Sequence, residues 1–198
     1  MQNDKMDKIK DLRNRTQASY AECKKALVEN DFDVKNAEEA LMKKGMRAVD
    51  APVRNNDVGA IYSYLHPGNR IGVLVEVKCD TDFVAKTAEF TKFVKEVTLQ
   101  VASMKPISVS RADVGEDTLD RERIRRAQTL LIENTDFSLL NEKVDAEMTQ
   151  WFSEVCLLEQ TYIRDTGKLI KELLAELVNK TGEACRISRF SRWEVGVD

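Results

Sequence analysis

Histidine is almost absent from this chain: His66 is the only one in 198 residues. A Ser-His-Asp or Cys-His nucleophile would have to use it. It sits in His66-Pro67-Gly68-Asn69, where Pro presets one dihedral and Gly or Asn tolerates a positive one, so a surface turn is expected. No GxSxG accompanies it, and neither a GxxxxGK[ST] loop nor a GxGxxG behind a strand occurs, so the usual nucleotide-binding signatures are missing. The four cysteines, Cys23, Cys79, Cys156 and Cys185, form no CxxC pair, which argues against a closely spaced structural zinc site. In a reducing compartment they read as small buried apolar residues. Adjacent carboxylates such as Glu38-Glu39 do not face one another on a helix. Charge of one sign is lacking too: 31 Lys and Arg stand against 34 Asp and Glu, a net charge of -3. No basic stripe marks a nucleic-acid surface, and direct binding of nucleic acid is not expected. No run approaches the ~20 apolar residues of a membrane span, and no signal peptide is visible. A cytoplasmic protein without a cofactor or metal is the expectation.

What is present is a chain with 42% hydrophobic and 33% charged residues and only three prolines, the composition of a helical globular protein. Lys and Arg alternate with Asp and Glu in nearly every segment, as on solvated helix faces. Met6, Ile9 and Leu12, then Tyr20, Cys23 and Leu27, then Val34, Ala37 and Leu41 recur at helical intervals and predict three short helices. Asp33 is placed to cap the third and Gly45 to end it. A bundle over residues 1–46 with so small a core reads as a docking module. Residues 47–58, with Pro52 and the polar Arg54-Asn55-Asn56-Asp57 cluster, read as a linker.

Residues 59–198 read as a core. Ala60 to Leu65, the His66 turn, and Ile71, Val73, Val75 and Val77 alternating with polar neighbours predict a β-hairpin. Leu74 on the polar side hints that the second face is partly covered. Beyond Cys79-Asp80-Thr81-Asp82-Phe83, a long helix is marked by Phe90, Phe93, Val94, Val97 and Val101 and stops at Lys105-Pro106. A helix from near Asp117 carries Ile124, Ala127 and Leu131, and another carries Leu140, Val144, Met148, Trp151 and Val155. The short connection from Asn134 to Phe137 makes them antiparallel neighbours. A last helix with Ile170, Leu173, Leu174 and Leu177 ends near Gly182, and Cys185 to Val195 closes the chain as a strand with a bulge near Phe190. The fold class is α+β: a three-helix bundle, then a small antiparallel sheet packed against helices.

The best candidate for recognition is the strand-to-helix junction Thr81-Asp82-Phe83-Val84. Thr81 or Asp82 can cap the helix that follows while Phe83 packs as a staple. Alternatively, Phe83 is displayed and inserts into a partner, as aromatic anchors do at many interfaces.

Val75-Glu76-Val77-Lys78-Cys79-Asp80-Thr81-Asp82-Phe83-Val84-Ala85-Lys86 resembles the core signature of the bacterial elongation factor Ts family. Ile9-Lys10-Asp11-Leu12-Arg13-Asn14-Arg15-Thr16 and Glu22-Cys23-Lys24-Lys25-Ala26-Leu27 resemble its N-terminal, ubiquitin-associated-like bundle. Leu157-Leu158-Glu159-Gln160 and Arg189-Phe190-Ser191-Arg192-Trp193-Glu194-Val195-Gly196 fit its far end. The matches are colinear and span almost the whole chain. The family usually has Gly-Ala-Gly-Met-Met where this chain has Gln17-Ala18-Ser19-Tyr20-Ala21, and Gln-Pro-Phe where it has Gln160-Thr161-Tyr162. The first departure falls in the expected docking region. The resemblance implies guanine-nucleotide exchange on elongation factor Tu. In it the Asp82-Phe83 turn inserts near the partner's magnesium and phosphate site, with Phe83 as the wedge and Asp82 setting the turn or making polar contacts, so that Thr81, Asp82, Phe83 and Val84 bind the partner; Arg13, Tyr20 and Lys24 are candidates for docking. It also implies a homodimer, since the chain holds one copy of a core unit that longer members carry twice. Two other readings stay open: an adaptor that binds without exchange, and an enzyme whose site is not visible in the sequence.

Overall fold

The computed structural model describes residues 2–49, 52–54, 57–133 and 136–197. Its first three helices are α1 (Gln2–Thr16), α2 (Tyr20–Glu29) and α3 (Val34–Val49). They close on Ile9, Leu12, Cys23, Ala26, Leu27, Ala37 and Leu41, all buried. Of the positions that helical spacing selects, Val34 is half-buried while Met6 and Tyr20 are exposed, and Ala26 takes a place in the core that the spacing did not assign. The Ser19 hydroxyl accepts the Glu22 amide at 3.3 Å and caps α2. The Asp33 carboxylate accepts the Asn36 amide at 3.0 Å and starts α3, as expected.

Gly45 does not end α3, which runs one turn further to Val49 and so takes in residues 47–49 of the expected linker. Gly45 is instead a place of close approach. A Cβ there would stand 2.5 Å from Asn179 Nδ2 and 3.0 Å from the Ala175 carbonyl. The bare backbone lets α3 cross α8 (Ile170–Thr181), and Asn179 Nδ2 donates to the Leu41 carbonyl at 3.2 Å across that crossing. Asn55 and Asn56 of the linker lie outside the described residues, as do Asn134 and Thr135 of the helix connection.

The core sheet has the order β1-β2-β5, from β1 (Gly59–Leu65), β2 (Ile71–Cys79) and β5 (Cys185–Glu194), with both pairings antiparallel. Asn69 and Gly68 turn the hairpin with positive φ, and His66 stays at the surface with Nδ1 2.9 Å from the Tyr64 hydroxyl. Val73, Val75, Val77 and Cys79 point inward, against α5 (Ala88–Met104) and α8. The five apolar positions that predicted α5 are all buried. The register of β5 slips opposite Glu76 and Val77, leaving Ser188 as the extra residue two positions before Phe190.

Two further features differ from the sequence expectation. Helices α6 (Glu116–Ile132) and α7 (Leu140–Val155) pack on one another, but α6 turns Leu130 inward while Ile124 and Leu131 are exposed. The apolar set on α6 is wide and its helix short of neighbours, so spacing alone did not single out the buried row. A small ribbon of β3 (Thr161–Tyr162) and β4 (Asp165–Leu169) was not anticipated. It is anchored by two fully buried glutamines. Gln100 Nε2 donates to Gln160 Oε1 at 3.1 Å and to the Thr161 carbonyl at 3.0 Å, and the Ile163 amide returns to Gln100 Oε1 at 3.0 Å. Buried amides need such partners to be tolerated, and a two-residue strand carries no period by which to be read.

Candidate functional site: the strand-to-helix turn

At the end of β2 the chain makes two caps in succession. Thr81 is extended (φ -133°, ψ 154°) and its hydroxyl oxygen accepts the Val84 amide, opening the four-residue helix α4 (Asp82–Ala85). The same hydroxyl donates to the carboxylate of Glu183, at 2.8 Å to Oε2. Glu183 is 102 residues away in sequence and lies in the loop between α8 and β5. Thr87 then caps α5: its oxygen accepts the Phe90 amide at 3.2 Å and its proton goes to the Val84 carbonyl at 2.8 Å. Capping threonines of this kind each contribute about 0.5–2 kcal/mol.

Between the two caps the four candidate residues separate. Val84 is buried under the turn with the core residues. Asp82 is exposed, and its carboxylate receives Lys86 Nζ at 2.6 Å. That hydrogen bond and charge hold the Asp82 carboxyl below the usual range, and an acid in the first turn also suits the helix dipole. Phe83 is neither staple nor core. The residue is 79% exposed, although the backbone on either side is fixed by Thr81, Val84 and Thr87. A rigid turn that holds a phenyl ring in water is an arrangement that folding alone does not require.

Phe83 forms one wall of a cleft of about 540 Å³. Opposite stand Arg13, Gln17, Ala18, Ser19 and Tyr20 from the end of α1 and the start of α2. Of the docking candidates, the structure therefore brings Arg13 and Tyr20 to the Phe83 side of the molecule. Lys24 is exposed one turn further along α2 and does not line the cleft. Glu183 and Thr87 were missed in the sequence. Thr87 is of a residue type that caps helix N-termini, whereas nothing local marks Glu183. Among the described residues, no group of three or more His, Cys, Asp or Glu side chains could hold a metal ion, and no helix is long and apolar enough to cross a membrane.

A protein-family model described as Elongation factor TS matches residues 4–197. The chain belongs to the elongation factor Ts family. The Elongation factor Ts of Thermotoga neapolitana is 44% identical over 193 residues, 96% of each chain. That of Caldanaerobacter subterraneus is 43% identical over 190 residues, covering 95% of this chain and 94% of its own. That of Carboxydothermus hydrogenoformans is 42% identical over 190 residues, with 95% and 87% covered. Membership in the elongation factor Ts family implies a nucleotide-exchange factor for elongation factor Tu in translation, which binds and releases rather than catalysing a chemical conversion.

Proposed function

We propose that the protein promotes GDP release from elongation factor Tu by inserting Phe83 near the partner's magnesium and phosphate site. The observation that carries this reading is the exposed Phe83 ring on a turn tied to the core by Thr81 and Val84. A ring carried on a mobile loop would cost backbone ordering on insertion, a cost that a turn already tied to the core avoids. Burial of a phenyl ring contributes about 1.5–3 kcal/mol. Spent on a form of Tu whose magnesium and phosphate contacts are displaced, that free energy weakens GDP binding. By linkage, GDP weakens binding of the factor equally. Asp82 and Lys86 keep the turn polar at its rim. The magnesium and the nucleotide belong to the partner.

In this reading the ubiquitin-associated-like bundle of residues 1–46 docks the factor through Arg13, Tyr20 and Lys24, residues 47–58 connect, and residues 59–198 carry exchange and dimerisation. A homodimer is supported by the outer face of the sheet. Ile61, Leu65, Leu74 and Trp193 are all exposed there, and Gly72 lies between Leu65 and Trp193 in register. A face of this kind usually meets another protein surface, and a self-complementary one suits two-fold symmetry. The cytoplasm is where such a factor would act.

The test is release of a fluorescent GDP from elongation factor Tu by substoichiometric amounts of the protein. Accelerated, repeated release supports exchange. Binding without acceleration would mean an adaptor, and turnover of a substrate without Tu would mean an enzyme.

A further inference from the structure

We propose that Cys79 and Cys185 are a redox-reversible pair, forming a cross-strand disulfide whose closure loosens the Thr81 turn and slows exchange. The second half rests on the reading of Phe83 given above. Cys79 is the last residue of β2 and Cys185 the first of β5, and the two are directly opposite in the antiparallel register. The Cys79 amide donates to the Val58 carbonyl at 3.2 Å, on the β1 side. In a strand the N–H and C=O of one residue point the same way, so Cys79 turns no backbone group toward β5. The two cysteines are thus a non-hydrogen-bonded pair, the kind in which opposite side chains come closest, with Cα atoms about 4.5 Å apart. That lies inside the roughly 4.4–6.8 Å window a disulfide needs. Both side chains are fully buried on the same inner face.

The pair stands at the base of the functional turn. The Cys79 thiol donates to the Thr81 carbonyl at 3.2 Å, and that carbonyl also accepts the Ala85 amide that closes α4. Glu183, two residues before Cys185, holds the Thr81 hydroxyl. Both ties on Thr81 therefore start from this end of the sheet. A disulfide removes the S–H donor from Thr81 and draws the Cys79 sulfur toward β5.

A small-molecule disulfide such as oxidised glutathione is the oxidant. One protein thiolate attacks it, the small S–S bond breaks, and the departing small thiolate takes up a proton. The second protein thiolate then displaces the attached small thiol. Two protein S–H bonds and one small S–S bond become one protein S–S bond and two small thiols, with two electrons passed from protein to oxidant. Burial pushes the Cys79 thiol up and the Cys185 thiol up to about 12, so thiolate is scarce in the closed sheet. Attack waits for the sheet end to open, and both oxidation and reduction are slow.

The full chain is treated with oxidised glutathione, mapped by non-reducing peptide mass spectrometry, and assayed for GDP release from elongation factor Tu. The expected result is a Cys79–Cys185 cross-linked peptide, with Cys23 and Cys156 still titratable in denaturant. Exchange slows several-fold and recovers with dithiothreitol, and Cys185→Ser exchanges at the untreated rate with or without oxidant. Glutathione adducts alone, or a different pairing, would overturn the proposal. A Cys79–Cys185 link with undiminished exchange would overturn its coupling to the turn. Failure of the Phe83 reading is distinguished by Phe83→Ala, which would then exchange normally whatever the mass map shows.

Discussion

The two walls of the cleft are built differently. On the core side, the turn from Thr81 to Thr87 has a buried side chain beneath it and two threonine caps, and Phe83 is its one exposed large apolar side chain. On the bundle side, the entry to α2 includes Gln17 with a left-handed φ of 57°, a half-exposed Tyr20 and a single serine cap. Left-handed backbone disfavours a residue with a Cβ by about 1–2 kcal/mol. Here the strain is partly offset by Gln17 Nε2, which donates to the Asn14 carbonyl at 2.8 Å. A rigid wall suits an element that must deform a partner, while a less tightly held wall suits one that only binds it.

The comparison is broken most directly by Phe83→Ala. GDP release at saturating factor is expected to fall about ten- to a hundredfold, from the loss of about 1.5–3 kcal/mol of ring burial. The melting temperature should not move, because the ring is exposed. Gly45→Val tests whether the walls must be held in alignment. Its side chain collides with Asn179 and the Ala175 carbonyl, and overpacking of this kind costs about 1–3 kcal/mol. Denaturant unfolding should report that loss, with weaker exchange although no cleft residue is altered. Thr81→Ala removes both the cap and the Glu183 tie. About 1 kcal/mol of stability should go, and release should slow several-fold, since the ring is kept but its base is loosened. Gln17→Gly should be the mildest change. It relieves the left-handed strain but loses the Asn14 bond, for a net gain of less than about 1 kcal/mol in thermal unfolding, with release unchanged.

These differences also explain what could be read from the chain alone. Phe90, Phe93, Val94, Val97 and Val101 repeat over about three turns, and Val73, Val75 and Val77 alternate cleanly, so α5 and β2 were legible. The Thr81 turn was legible as a cap because capping depends on residues three apart. Whether Phe83 packs inward or stands in water was not, because that depends on Val84 filling the core first. Glu183 and the Gly45 crossing depend on partners brought from the far end of the chain, and no local pattern encodes them. The face of α6 was misread for a related reason: it packs mainly on α7, and burial followed Leu130 instead of the wider stripe of Ile124 and Leu131.

The division of labour between the walls is tested most directly by GDP-release rate measured against factor concentration, for the wild type, Phe83→Ala and Tyr20→Ala. Phe83→Ala should lower the plateau, since the proposed insertion acts on the bound nucleotide state. Tyr20→Ala should keep the plateau and shift the half-saturating concentration upward, since the bundle is proposed to dock without taking part in release. A Phe83→Ala plateau equal to the wild type, with the fold intact, would contradict the account.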